Sequence, residues 1–149
     1  MLQMESAHDA LSYINQSTKK CILKGGRKMD LKETLYFRVS ILEDNQVISR
    51  KVAAYTRQMI DMVLEQKPDV PQDRAEMFFT HLAMAGKRAE EGTEENPMDE
   101  TIFAAVKMEP VFGEAVRMRD EMLSRTDIDF PETEKDFLSV HLCNLLNQE

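Results

Sequence analysis

The 149-residue chain has no tryptophan, two cysteines, five glycines and five prolines, and its 19 basic residues are outnumbered by 27 acidic ones. Each scarcity excludes something. Cys21 and Cys143 stand in segments without metal-site spacing, which rules out a disulfide framework or a zinc finger and fits a reduced, cytosolic setting. Low glycine and proline beside 42% hydrophobic residues exclude a low-complexity chain. No apolar run approaches the roughly 20 residues of a membrane span, and the N-terminus lacks a signal-peptide block, so a cytoplasmic protein without a membrane partner is expected. The net charge of −8 argues against direct nucleic-acid binding, which needs clustered Lys and Arg.

Catalytic patterns are missing too. There is no glycine-rich phosphate loop, since Gly25-Gly26 precedes no strand–helix unit. No Ser or Cys sits in a nucleophile motif, and Cys143 reads as buried and inert. A non-enzyme requiring no cofactor is expected.

What is present is helical periodicity from Asp30 onward. Leu31, Leu35, Val39 and Leu42 recur at helical spacing behind a possible cap at Asp30, with Lys32, Glu33 and Arg38 on the other face. Leu35, Phe37, Val39 and Ile41 also alternate, so a strand competes there, and helix is preferred. Ser49 can cap a helix to about Gln66, which Pro68 ends by pushing Lys67 out of the α region. Pro71 opens another, running to about Glu91 and Gly92. After a polar loop, Asp99 caps a short helix whose expected buried face is Ile102, Phe103 and Val106. Pro110 opens the next, carrying Phe112, Ala115, Val116 and Met122. Pro131 begins the last, with Glu132 and Glu134 in a first turn that favours negative charge. Its stripe is Phe137, Leu138, Leu142, Leu145 and Leu146. The expected fold is all-α: five core helices, preceded by an extra N-terminal helix. Eleven methionines point to an adaptable core.

Residues 1–28 carry a local charge of +3, leaving −11 on the other 121 residues. Ala7-His8-Asp9-Ala10-Leu11 could make a short helix, but little apolar surface follows it, so the segment reads as a basic, loosely ordered tail before a helical domain at 29–149, with His8 on its surface. Lys24-Gly25-Gly26-Arg27-Lys28-Met29 is what a purine-rich ribosome-binding sequence would encode in frame. Met29 is therefore a candidate start, with an ordinary basic linker as the equal alternative.

Two histidines stand beside apolar stripes. His81 accompanies Phe78, Leu82 and Ala85, with Arg88 seven residues on; His141 follows Phe137 by four residues and Glu134 by seven. Neither belongs to a His-Glu-x-x-His metalloprotease motif, and Phe78 and Leu138 occupy the positions a di-iron bundle gives to Glu. A shared zinc would need further ligands, of which Glu134 is the only candidate. No bound metal is expected.

His81-Leu82 through Ala85 to Arg88, followed 60 residues after His81 by His141-Leu142 with Pro131 and Glu134 ahead of it, resembles the two histidine motifs of a PTS regulation domain. The resemblance covers about Val47 to Leu146. It implies an all-helical regulatory module of the bacterial sugar phosphotransferase system, affecting transcription or partner binding, with His81 and His141 as phosphoacceptors. Arg88 would balance the incoming charge and Glu134 would orient the His141 ring. The implied donors are the histidine phosphocarrier protein or a sugar-specific subunit, and the implied assembly is a homodimer. Antiterminator members commonly place Asp before the first histidine, where this chain has Thr80, so His141 is the closer match. The chemistry suits the residue type: a neutral imidazole, with pKa near ~6.5, is a nitrogen nucleophile at cytosolic pH. The alternatives are a degenerate relative that only dimerises and a metal-dependent helical-bundle enzyme.

Overall fold

In the computed structural model the described residues are 10–12, 14–15, 30–93 and 96–147. They contain six complete helices and no strand: α1 (Leu31–Asp44), α2 (Arg50–Gln66), α3 (Gln72–Glu91), α4 (Glu100–Lys107), α5 (Phe112–Ser124) and α6 (Glu132–Leu146). The all-α expectation holds. No described helix is long and apolar enough to cross a membrane.

Helix starts are chemically determined. Asp30, Ser49 and Asp99 each accept a backbone N–H of the first turn, satisfying donors the helix cannot pair internally. Pro131 precedes α6 with φ −68° and extended ψ, one residue outside the helix. Past the end of α3, Gly92 takes φ +74°, a left-handed conformation cheap only for glycine.

Packing divides the chain into two compact units, Met1–Lys87 and Arg88–Glu149. In the first, α1 packs on α2 around Leu35, Val39, Leu42, Val52, Met59, Ile60 and Val63, all buried. Gly86 of α3 meets α2 closely. A Cβ at that position would lie 2.9 Å from Val52 Cγ1, so only glycine fits without a shift.

Two expectations are corrected in this unit. Arg38 belongs to the interior, 4% exposed, not to a solvated face. Its Nη1 donates to Asn15 Oδ1 at 2.8 Å and lies 3.4 Å from Glu76 Oε1. Residues 10–12 and 14–15, assigned to a loose tail, are helical, and Ala10 and Ile14 are wholly buried. The two corrections share a cause. Ala10 and Ile14 make a short i, i+4 apolar face, and Asn15 brings that stretch against α1 at Arg38. Arg38 is thus met from two sides, by Asn15 and by Glu76 of α3, and Thr34 and Ile41 are buried along with it and the main stripe. His8, Cys21 and the Lys24–Met29 stretch lie outside the described residues.

In the second unit, α5 packs on α6, and α4 also touches α6. Ala115, Met118, Met122, Leu138, Leu142, Leu145 and Leu146 are buried. Ser139, also buried, ties the pair together: its hydroxyl accepts from Arg119 Nη1 at 2.7 Å and donates to the Lys135 carbonyl. The expected buried face of α4 is not buried. Ile102 is 56% exposed, Phe103 and Val106 are half-buried, and no residue of α4 is buried. Periodicity reports that a helix has an apolar face, not that the fold supplies something to cover it.

Candidate functional site

Of the four singled-out residues, His81 lies in the first unit and Arg88, Glu134 and His141 lie in the second. On α3, Phe78, Leu82 and Ala85 are buried as the stripe requires, and His81 beside them is half-buried. Thr80 is buried, and its hydroxyl donates to the Glu76 carbonyl one turn back at 2.9 Å. That bond satisfies the hydroxyl as a threonine inside a helix ordinarily does.

The second unit holds the strongest polar interaction of the site. Arg88 Nε and Nη2 donate to Glu134 Oε2 and Oε1 at 2.6 and 3.0 Å, a two-pronged guanidinium–carboxylate pair. Glu134 is 1% exposed and the Arg88 side chain 13%. Both ends suit their charges. Glu134 stands in the first turn of α6, where the helix dipole favours an anion, and Arg88 in the last turn of α3, where it favours a cation. The two supporting residues of the two motifs are thus each other's partners.

His141 lies two turns after Glu134 on α6, about 10.5 Å along the axis at 1.5 Å per residue. It is half-buried. Its ring stacks on Phe137, with centroids 6.3 Å apart and planes 24° apart. The side chain is thus partly solvent-accessible, with one ring contact described. Cys143, on the same helix, is buried and carries no disulfide. Burial, helped by the nearby Glu109 charge, raises its thiol pKa and keeps it protonated.

Among the described residues, no three His, Cys, Asp or Glu side chains converge on a geometry that could hold a metal ion. The Phe137–His141 stack follows from i, i+4 spacing and was visible in the sequence. The Arg119–Ser139 tie and the buried Arg38 were not: each joins residues on different elements, and helical spacing carries no information about such partners. No family model, curated protein or solved structure matches the chain.

Proposed function

We propose that the chain is a phosphorylation-responsive regulatory module of the PTS regulation type, accepting phosphoryl groups on His141 and His81 within bacterial sugar metabolism. The supporting observation is the Arg88–Glu134 pair: the residues flanking the two histidine motifs, 46 positions apart, form one buried, bidentate contact. A half-buried histidine stands two turns from each of its members on the same helix. In the reaction the acceptor imidazole attacks phosphorus with a nitrogen lone pair. The P–N bond to the donor histidine breaks, and one proton passes, net, from the acceptor ring to the departing donor ring.

The product adds roughly −1.5 to −2 charges to a chain already at −8. That charge is unfavourable unless a neighbouring contact is remade, which is how phosphorylation would alter partner binding. The proposed donors are the histidine phosphocarrier protein or a sugar-specific subunit, and the proposed state is a cytoplasmic homodimer.

The test is transfer from phosphoenolpyruvate through the general phosphotransferase proteins. The expected product is acid-labile and base-stable, with His141 labelled at least as well as His81. His141→Ala should remove most of the label. Two unlabelled histidines with every donor would leave the degenerate dimerisation module as the better account.

A further inference from the structure

Helix α4 differs from its neighbours in what it leaves uncovered. Thr101-Ile102-Phe103-Ala104-Ala105-Val106 is a six-residue run without charge, yet no residue of the helix is buried. Each of the other five complete helices buries at least three. One side of α4 is held. Asp99 caps it, and the Phe103 ring meets the Phe112 ring edge to face, centroids 6.3 Å apart. The Lys107 ammonium lies over Phe103 at 4.6 Å. The other side carries Ile102, Ala105 and Met108 at i, i+3 and i+6, within about a third of the helix circumference. Ile102 is 56% exposed and Met108 83%. Grouped exposure of this kind marks an interaction surface more often than does a scattered apolar residue.

We infer that this face of α4 docks a basic amphipathic helical segment of another protein. The charge around the face selects that occupant. Exposed Glu100 stands at one end of the apolar run and exposed Glu109 at the other, with Asp99 beside Glu100 already engaged as the cap. Between Asn96 and Phe112 the only basic residue is Lys107, and its ammonium already faces an aromatic ring. A second copy of a chain at −8 would bring the same acidic rim against itself. A segment with apolar residues at i, i+3, i+4 and i+7 and Lys or Arg on its flanks complements both the stripe and the rim. Because α4 rests on α6, such a partner would sit beside the helix that carries His141.

The probe is a synthetic 18-residue peptide with leucine at i, i+3, i+4 and i+7 and lysine elsewhere, titrated into the intact chain by fluorescence anisotropy. Saturable one-to-one binding is expected. The double substitution Ile102→Glu, Met108→Glu should weaken it at least tenfold. Both side chains are exposed, so an unchanged thermal unfolding curve will show that the variant is folded. Replacing leucine by serine in the peptide, at equal charge, should also weaken binding at least tenfold. Equal binding by the double variant, or by the serine peptide, would overturn the inference. So would equal binding by a peptide with glutamate in place of lysine. Self-association of the chain that the double substitution abolishes would assign the face to a second copy instead. None of these outcomes depends on phosphorylation of either histidine.

Discussion

Removing either member of the Arg88–Glu134 pair should be among the most damaging polar changes available in this chain. Glu134 is 1% exposed, and its two oxygens accept from Arg88 at 2.6 and 3.0 Å. Arg88→Met keeps the bulk of the side chain but leaves a carboxylate in the interior. Breaking a buried pair in this way costs about 3–5 kcal/mol, because the remaining charge is desolvated without compensation. Position in the first turn of α6 offsets only about 0.3–1 kcal/mol of that, so burial decides the sign. For a chain of this length each kcal/mol lowers Tm by about 2–4 °C, giving a fall of roughly 6–20 °C. Glu134→Gln should lose somewhat less, since the amide still accepts one bond. The double variant Arg88→Met, Glu134→Leu removes both charges and should recover much of the loss, with coupling of at least about 2 kcal/mol in the cycle. Urea unfolding of the four proteins measures this. Single variants costing under about 1 kcal/mol, or losses that add within about 0.5 kcal/mol, would refute the buried-pair reasoning.

Two further outcomes follow from the first unit. Gly86→Ala gains about 1 kcal/mol of helix propensity but sets a methyl 2.9 Å from Val52 Cγ1, where overpacking costs about 1–3 kcal/mol. A loss of up to about 2 kcal/mol by urea unfolding is expected, relieved when Val52→Ala is added; a stabilised single variant would show that the helices are not in close contact there. Tyr36, whose hydroxyl donates to Asp61 Oδ1 at 2.7 Å, has its pKa pushed up to about 12, chiefly by burial and then by that bond. A raised folded-state pKa contributes stability that is complete below the unfolded value near ~10 and is lost as pH rises through the folded one. The urea midpoint should therefore fall between pH 10 and 12, and Tyr36→Phe should flatten part of that fall; identical slopes in the two proteins would remove Tyr36 from the account.

Element type and boundaries were legible wherever local chemistry decides them. Asp30, Ser49 and Asp99 cap as their sequence positions suggest, and Pro68 and Pro131 punctuate as proline must. The misses share a physical character. Arg38 sits on what one helix's periodicity calls the polar side, and partners on other elements, Asn15 and Glu76, meet it there. A short helix near Ala10 is suggested by the sequence, but a two-residue stripe inside a basic segment is too faint a signal to show that it is buried. The amphipathic spacing of Ile102 points to the core, although spacing cannot reveal whether a neighbour exists. At the site, sequence spacing ties Arg88 and Glu134 each to the histidine on its own helix. Their mutual contact spans 46 residues, beyond the reach of any rule based on i, i+3 or i+4 neighbours.

The methionines carry a chemical consequence of their own. Met59, Met62, Met84, Met118 and Met122 are buried, while Met77 is 49% and Met108 83% exposed. Oxidation converts a flexible apolar thioether into a polar sulfoxide, and the reagent must reach the sulfur to do so. Among the described methionines, Met77 and Met108 would therefore be consumed first in the closed fold, at little structural cost. Each buried sulfur records an opening event. Once oxidised, it makes reclosure harder, because a polar group must then enter the core. Oxidation that passes from the two exposed sulfurs to the described buried ones would accordingly favour further opening.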